Sequence, residues 1–376
     1  MKKLWIILSV VVVVALAIVL ILTQTKKEAN EIKIGVVLPL SGDGAAYGQK
    51  EREGIDLAVE KVNKAGGVNG SKIVAIYEDS QGSPTPAVSA TQKLITQNKV
   101  KVIIGDAFSS PTLAMVPITD KNKIILMSPT ASSPKLSGSN EYFFRIWPSD
   151  VAEGSIMAEI AFNQLKLRSY GVFSGNNEYS QGLKNVFEAT VSKMGGSILI
   201  SELYNEGDKD FRTQLAKIKA KSPEAIYLAG YYKEFALILN QIREMGIKTQ
   251  VLSCGTFHEP EILKTARIAA EGVIFVQPYF DRKNPDPVVQ RFVDDYEKKF
   301  KSEAGVYAAH AYDALMVLSE AMKNVWKNTN DIRDNILRLK AYPGATGKIT
   351  FIAGGDVIKP LRVMTVRNGQ FTDFSK

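Results

Sequence analysis

The sequence predicts an α/β protein of two parallel-sheet lobes, preceded by a separate apolar leader. Three observations carry this reading. Short runs rich in Val and Ile alternate with helix-period segments along almost the whole chain, the pattern of βαβ units around a parallel sheet. The alternation restarts after Trp147-Pro148, and 376 residues are enough for two ordinary cores. Hydrophobic content of 45% and charged content of 23% are those of a folded globular chain.

The leader comes first. Leu4 to Leu22 is apolar apart from Ser9, follows two lysines and is 19 residues long, close to the roughly 20 that span a bilayer as a helix. No small-x-small cleavage site follows, and Thr23-Gln24-Thr25-Lys26 comes directly after it. An uncleaved N-terminal anchor is therefore preferred to a cleaved signal, with the body of the protein outside the cytoplasm.

The elements then follow in order. Ile32–Leu38 reads as a buried strand and Ala45–Lys64 as a helix; the turn Ala65–Gly70 leads into a strand over Lys72–Tyr77. Val100–Gly105 and Lys123–Met127 are the next strands, each after a helical segment. In the second half, strands are expected at Ser169–Ser174, Ser197–Leu203, Ala225–Ala229, Gln250–Ser253 and Gly272–Val276. The helix over Tyr231–Met245 places Phe235, Ile238, Leu239, Ile242 and Met245 on one face. Pro285 to Lys340 is mostly helical, and strands at Lys348–Ile352 and Leu361–Val366 close the chain.

Composition excludes several classes. A single cysteine permits no intramolecular disulfide and no multi-cysteine metal cluster. Of the net charge of +8, the leader supplies +3 through Lys2, Lys3, Lys26 and Lys27 against Glu28. The remaining basic residues are scattered, without the basic block interleaved with aromatics that nucleic acid requires.

Enzymatic motifs fail in turn. Cys254, His258 and Glu259 lie within six residues, but a nucleophilic pair needs a third orienting group, and Cys254 ends a buried strand as a small hydrophobe does. Gly42, Gly44 and Gly48 after the first strand miss the dinucleotide spacing by one residue, and Glu78-Asp79 lies too far on. Gly344 to Ile349 lacks the P-loop spacing, and there is no His-Glu-x-x-His. No cofactor, metal ligand set or catalytic residue is expected.

Two loops are more informative. Gly105 to Thr112 and Ser128 to Pro134 each follow a strand and carry a serine pair before a proline (Ser109-Ser110-Pro111, Ser132-Ser133-Pro134). Ser followed by Pro suits an N-cap and first helical residue. The hydroxyls and free backbone N–H groups there suit an anion such as a carboxylate, at the strand ends where open α/β sheets bind ligands.

With these loops, the chain after Asn30 resembles the branched-chain amino-acid (Leu/Ile/Val) binding proteins of ABC importers. The resemblance rests on IKIGVVLPLSGDGAAYGQ (32–49), NKAGGVNGSKI (63–73), YEDSQGSPTPAVSATQKLI (77–95), GDKDFRTQLAKIK (207–219), YAAHAYDAL (307–315) and TGKITF (346–351), in that order and spacing. It implies the type I periplasmic-binding fold, two Rossmann-like lobes joined by three crossovers near Trp147-Pro148, Gln277-Pro278 and Thr346. Residues 1–30 would be leader and tether, 31–148 with 278–345 the first lobe, and 149–277 with 346–376 the second.

The resemblance also implies a site between the lobes. Ser109 and Ser132 would hold a ligand carboxylate, and the Thr130 carbonyl would face an ammonium. Tyr47 would cover the ligand from the first lobe, and Tyr179 and Tyr231 from the second. The family glutamate that accepts the ligand ammonium falls at Gly255, so the carboxylate is missing there, and a carboxylate or amide ligand without an α-ammonium becomes an expectation. The implied function is capture of a small polar molecule by closing lobes and delivery to an ABC permease. The alternatives are a sensing ectodomain of the same fold and, last, a nucleotide-dependent oxidoreductase.

Overall fold

The computed structural model describes residues 31–374. The expected anchor over 4–22 lies outside the described residues, and among those described no helix is long and apolar enough to cross a membrane.

The first lobe is built on a five-stranded parallel sheet of order β2-β1-β3-β4-β5. Its strands are β1 (Glu31–Leu38), β2 (Lys72–Asp79), β3 (Val102–Gly105), β4 (Ile125–Ser128) and β5 (Phe143–Arg145). Helices α1 (Ala45–Lys64), α2 (Pro84–Thr96) and α3 (Ser109–Lys121) connect them. β3 and β4 are buried on both faces, which is why they read as continuous apolar runs rather than alternating ones.

The second lobe repeats the plan. Strands β6 (Ser169–Gly175), β7 (Ser197–Tyr204), β8 (Ala225–Ala229), β9 (Gln250–Ser253) and β10 (Ile274–Pro278) are parallel in the order β7-β6-β8-β9-β10. Helices α4 (Asp150–Glu159), α5 (Glu178–Lys193), α6 (Arg212–Lys221), α7 (Tyr232–Glu244) and α8 (Pro260–Ala266) complete it. After β10 the chain returns to the first core with α9 (Pro287–Phe300), α10 (Val306–Ala321) and α11 (Thr329–Arg338). The hairpin β11 (Tyr342–Gly344) and β12 (Gly347–Ile349) follows, and antiparallel β13 (Leu361–Arg367) and β14 (Gln370–Asp373) extend the second sheet beyond β10.

Both sheets reverse direction of growth beside their first strand, β1 in one and β6 in the other. Strand C-termini at such a switch point diverge and leave a crevice. The close packing of α10 on α1 brings a further wall to that crevice. A Cβ at Gly54 would stand 2.1 Å from the Ala308 carbonyl oxygen, so only glycine lets the two backbones approach this far.

One expected boundary moves. The third crossover, expected near Thr346, falls after Val357, because Ala345, Ile349, Phe351 and Val357 are buried in the first-lobe core. The chain enters the second sheet only at Leu361. The apolar residues of the hairpin have two cores within reach, and sequence periodicity does not say which one buries them. The sequence does not announce β5, β11 or β14; β5 and β11 have three residues each and β14 has no buried face, so none leaves a periodic signal.

Candidate functional site

A cavity lies between the lobes, at the C-terminal ends of β3 and β4 on one side and the loops before α5 and α7 on the other. Tyr47, Ser109, Thr130, Ser132, Tyr179 and Tyr231 all line it. So do Phe108, Trp147, Thr256 and Tyr307, which sequence reasoning did not assign to a site. Trp147 was noted only as a crossover; Tyr307 lies inside a quoted family segment, yet nothing local marks it.

The polar end is built by the two serine loops. The Ser109 Oγ accepts hydrogen bonds from the backbone N–H groups of Ser132 (3.3 Å) and Ser133 (3.1 Å). Both lone pairs are thus occupied, and the hydroxyl hydrogen remains to be donated. Thr130 is different: its hydroxyl donates to the Glu51 carboxylate and lies 3.0 Å from the Ala107 carbonyl, so it is not free to donate into the cavity. Burial pushes the Glu51 carboxyl well above the usual range.

The capping expectation holds for one loop only. Ser133 accepts from the Lys135 N–H at the start of a turn over Pro134–Leu136. In the other loop α3 begins at Ser109 with Phe108 in the cap position, extended at φ −103° and ψ 148° and without a side-chain cap. Ser110 and Pro111 therefore sit in the first turn, and Ser110 Oγ instead accepts the Glu178 N–H across the cleft at 3.3 Å.

The walls are aromatic. Tyr179 and Tyr231 stack with ring centroids 5.4 Å apart, and Phe108 meets Tyr231 across the cleft at 4.8 Å. Tyr47 packs edge-on against Tyr307 at 4.9 Å and reaches Tyr232 of the second lobe at 5.6 Å. Trp147 stacks on Tyr307 at 5.6 Å. Burial raises the phenols of Tyr47, Tyr179, Tyr231 and Tyr307 far above their ordinary value, so each stays neutral. The Tyr307 hydroxyl is buried without a hydrogen-bond partner among the described residues, and a buried polar atom of that kind suits a polar ligand atom.

The stretch Cys254 to Glu259 is wall and latch rather than chemistry. The Cys254 thiol is fully buried, 3.3 Å from the Thr256 hydroxyl, and burial pushes it up to about 11. His258 faces Phe275 and Phe371, at 5.9 and 4.6 Å between centroids, and burial lowers it to about 4. Glu259 bonds Lys50 of the opposite lobe at 2.8 Å. No hydrogen bond joins Cys254 to His258 among the described residues. No group of three or more His, Cys, Asp or Glu there is placed to hold a metal ion.

Gly255 does not line the cavity; its neighbour Thr256 does. Its backbone N–H donates to Glu153 Oε1 at 2.8 Å, so a buried carboxylate from α4 sits behind the loop at 255. Neither Glu153 nor Asp150, one turn earlier, was singled out from sequence, because both read as first-turn acids of an ordinary helix.

The lobes are closed on each other. Besides Lys50–Glu259, Lys233 bonds Asp43 at 2.6 Å and Lys135 bonds Glu178 at 2.8 Å across the cleft. An aromatic cavity with a hydroxyl donor at one end, held between two lobes that ion pairs bridge, is the site of a protein that captures a small molecule.

The comparisons agree. A family model for periplasmic binding proteins matches residues 31–370, and the chain belongs to that family. It is a solute-binding protein and not an enzyme. It is similar to a leucine-, isoleucine-, valine-, threonine- and alanine-binding protein of Pseudomonas aeruginosa, 26% identical over 330 residues and covering 88% of each chain. Among solved structures, the leucine binding protein LivK of Thermotoga maritima superposes with a TM-score of 0.86 at 31% identity, over 92% of this chain and 98% of that one. The branched-chain amino acid transporter substrate binding protein LivJ of Streptococcus pneumoniae, in complex with isoleucine, gives 0.83 at 32% identity over 91% and 98%.

Proposed function

We propose that this protein is the extracytoplasmic solute-binding component of an ABC importer, and that its ligand is a small amino acid with an apolar side chain. The observation that carries the ligand reading is Ser109. With both lone pairs engaged by backbone N–H groups, its hydroxyl donates only, and a carboxylate is the ligand group that accepts from it. Ser132 lines the cavity beside it, and the aromatic walls suit a hydrocarbon side chain.

The names of the relatives support the same class of ligand. Ligand binding would draw the two lobes together, and the closed form would be the one presented to the permease. Residues 4–22 would tether the protein to the membrane, with the lobes on the extracytoplasmic face.

The test is thermal unfolding of the full-length protein with leucine, isoleucine, valine, alanine and threonine, against acetate, benzoate and acetamide. A ligand at 100 times its Kd adds about 2.7 kcal/mol of stability. Stabilisation by an aliphatic amino acid supports the reading. A shift given only by a carboxylate or amide lacking an α-ammonium refutes it.

A further inference from the structure

An amino acid brings an ammonium into the closed cavity, and an unpaired buried charge there is costly. Glu153 is 3% exposed, and its Oε1 takes the Gly255 N–H at 2.8 Å. Asp150, one helical turn before it, is fully buried, and neither of its carboxylate oxygens has a protein partner in bonding geometry. Ser132, which lines the cavity, lies close enough to Asp150 for its hydroxyl to favour the ionised form, and its carbonyl accepts the Asp150 N–H at 3.0 Å.

We propose that the carboxylate pair Asp150 and Glu153, placed behind Ser132 and Gly255 at the start of α4, supplies the negative charge that selects a ligand carrying an ammonium group. This rests on the amino-acid reading above and deepens it. Glu153 is the specificity residue, acting from behind the Gly255 backbone.

The surroundings leave that charge unsatisfied. The basic group facing the pair is Arg145, which acts on Asp150. Its guanidinium is already taken by Asp356 at 2.7 Å, the Ser133 carbonyl at 3.0 Å and the Ser137 hydroxyl. The other titratable groups that feel the pair, Cys254, Tyr179, Tyr227, Tyr231 and Tyr307, are neutral. Neither carboxylate has an ion-pair partner among the described residues.

Two like charges in one dry pocket cannot both ionise cheaply, so the pair holds a proton when the cavity has no cation. Burial and the Asp150 charge both raise the Glu153 carboxyl. An arriving ammonium replaces that proton, so binding of an amino acid releases about one proton near neutral pH. A ligand without the ammonium releases none.

The experiment is titration calorimetry of the full-length protein with leucine and with 4-methylpentanoate, the same skeleton without the ammonium. It is run at pH 7 in two buffers of different ionisation enthalpy, for wild type and Glu153→Gln. The glutamine retains an acceptor for the Gly255 N–H, so the fold is kept; Asp150→Asn is the second variant. The expected result is leucine binding with proton release by the wild type, and leucine binding weakened on the order of 30-fold or more without proton release in Glu153→Gln. The preference for leucine over 4-methylpentanoate should shrink by the same factor. Leucine binding of wild-type strength by both variants overturns the assignment while leaving the amino-acid reading standing. Binding of 4-methylpentanoate but not leucine by the wild type, or of neither, overturns both.

Discussion

Replacing Lys50 by methionine should weaken ligand binding through closure alone. Lys50 Nζ lies 2.8 Å from Glu259 Oε2, and the glutamate side chain is 4% exposed in the closed form, the lysine side chain 36%. At an effective permittivity of about 20 the Coulomb attraction is about 6 kcal/mol. Lys50 is in partial contact with water, so screening and side-chain ordering reduce the net to about 1–2 kcal/mol. Without the lysine, closing the lobes would bury an unpaired carboxylate, whose ionised form burial already disfavours. Opening returns it to water. Because the ligand stabilises the closed form, Kd should rise about 5- to 30-fold. The assay is calorimetric titration, with small-angle scattering to follow closure. Lys50→Met with Glu259→Gln removes both charges and should recover most of the affinity. If Lys50→Met binds as wild type does, or the double variant is as weak as the single one, the latch argument fails.

Ser109→Ala should strip the acceptor from the buried Ser132 and Ser133 N–H groups, lowering urea-unfolding stability by about 1–3 kcal/mol. Ligand affinity should fall more than in Ser110→Ala, whose hydroxyl serves only the Glu178 N–H at the cleft. His258, held to about 4 against an ordinary 6.5, stays neutral when folded. The unfolded chain therefore binds more protons between pH 6.5 and 4, so this group's contribution is complete above pH 6.5 and is lost as pH falls through that window. His258→Phe, which keeps an aromatic ring against Phe275 and Phe371, should flatten the acid limb by about 2–3 kcal/mol relative to wild type in denaturant melts. Cys254, buried and pushed up to about 11, should resist alkylation at pH 8 on the order of 100-fold more than in urea. Rapid native labelling would reopen a role for the thiol.

The sequence by itself determined the two-sheet α/β architecture, because strands buried on both faces must be apolar runs and helices on a sheet must carry one apolar face. α1 was legible to the residue, Ala45 to Lys64. The serine loops were legible too, since chain chemistry at strand ends is local. Tyr47, Tyr179 and Tyr231 came from the resemblance and not from any local pattern. Only the tertiary structure decided what depends on approach between distant segments. The hairpin at Tyr342–Ile349 and the following Phe351 and Val357 went to the first core rather than the second. Ser109 became a pure donor through backbone groups 23 and 24 residues away. The Gly255 N–H is met by Glu153, 102 residues earlier in the chain. Burial and electrostatic complementarity are properties of groups brought together in space, and a one-dimensional pattern does not record which distant side chains will share one dry cavity.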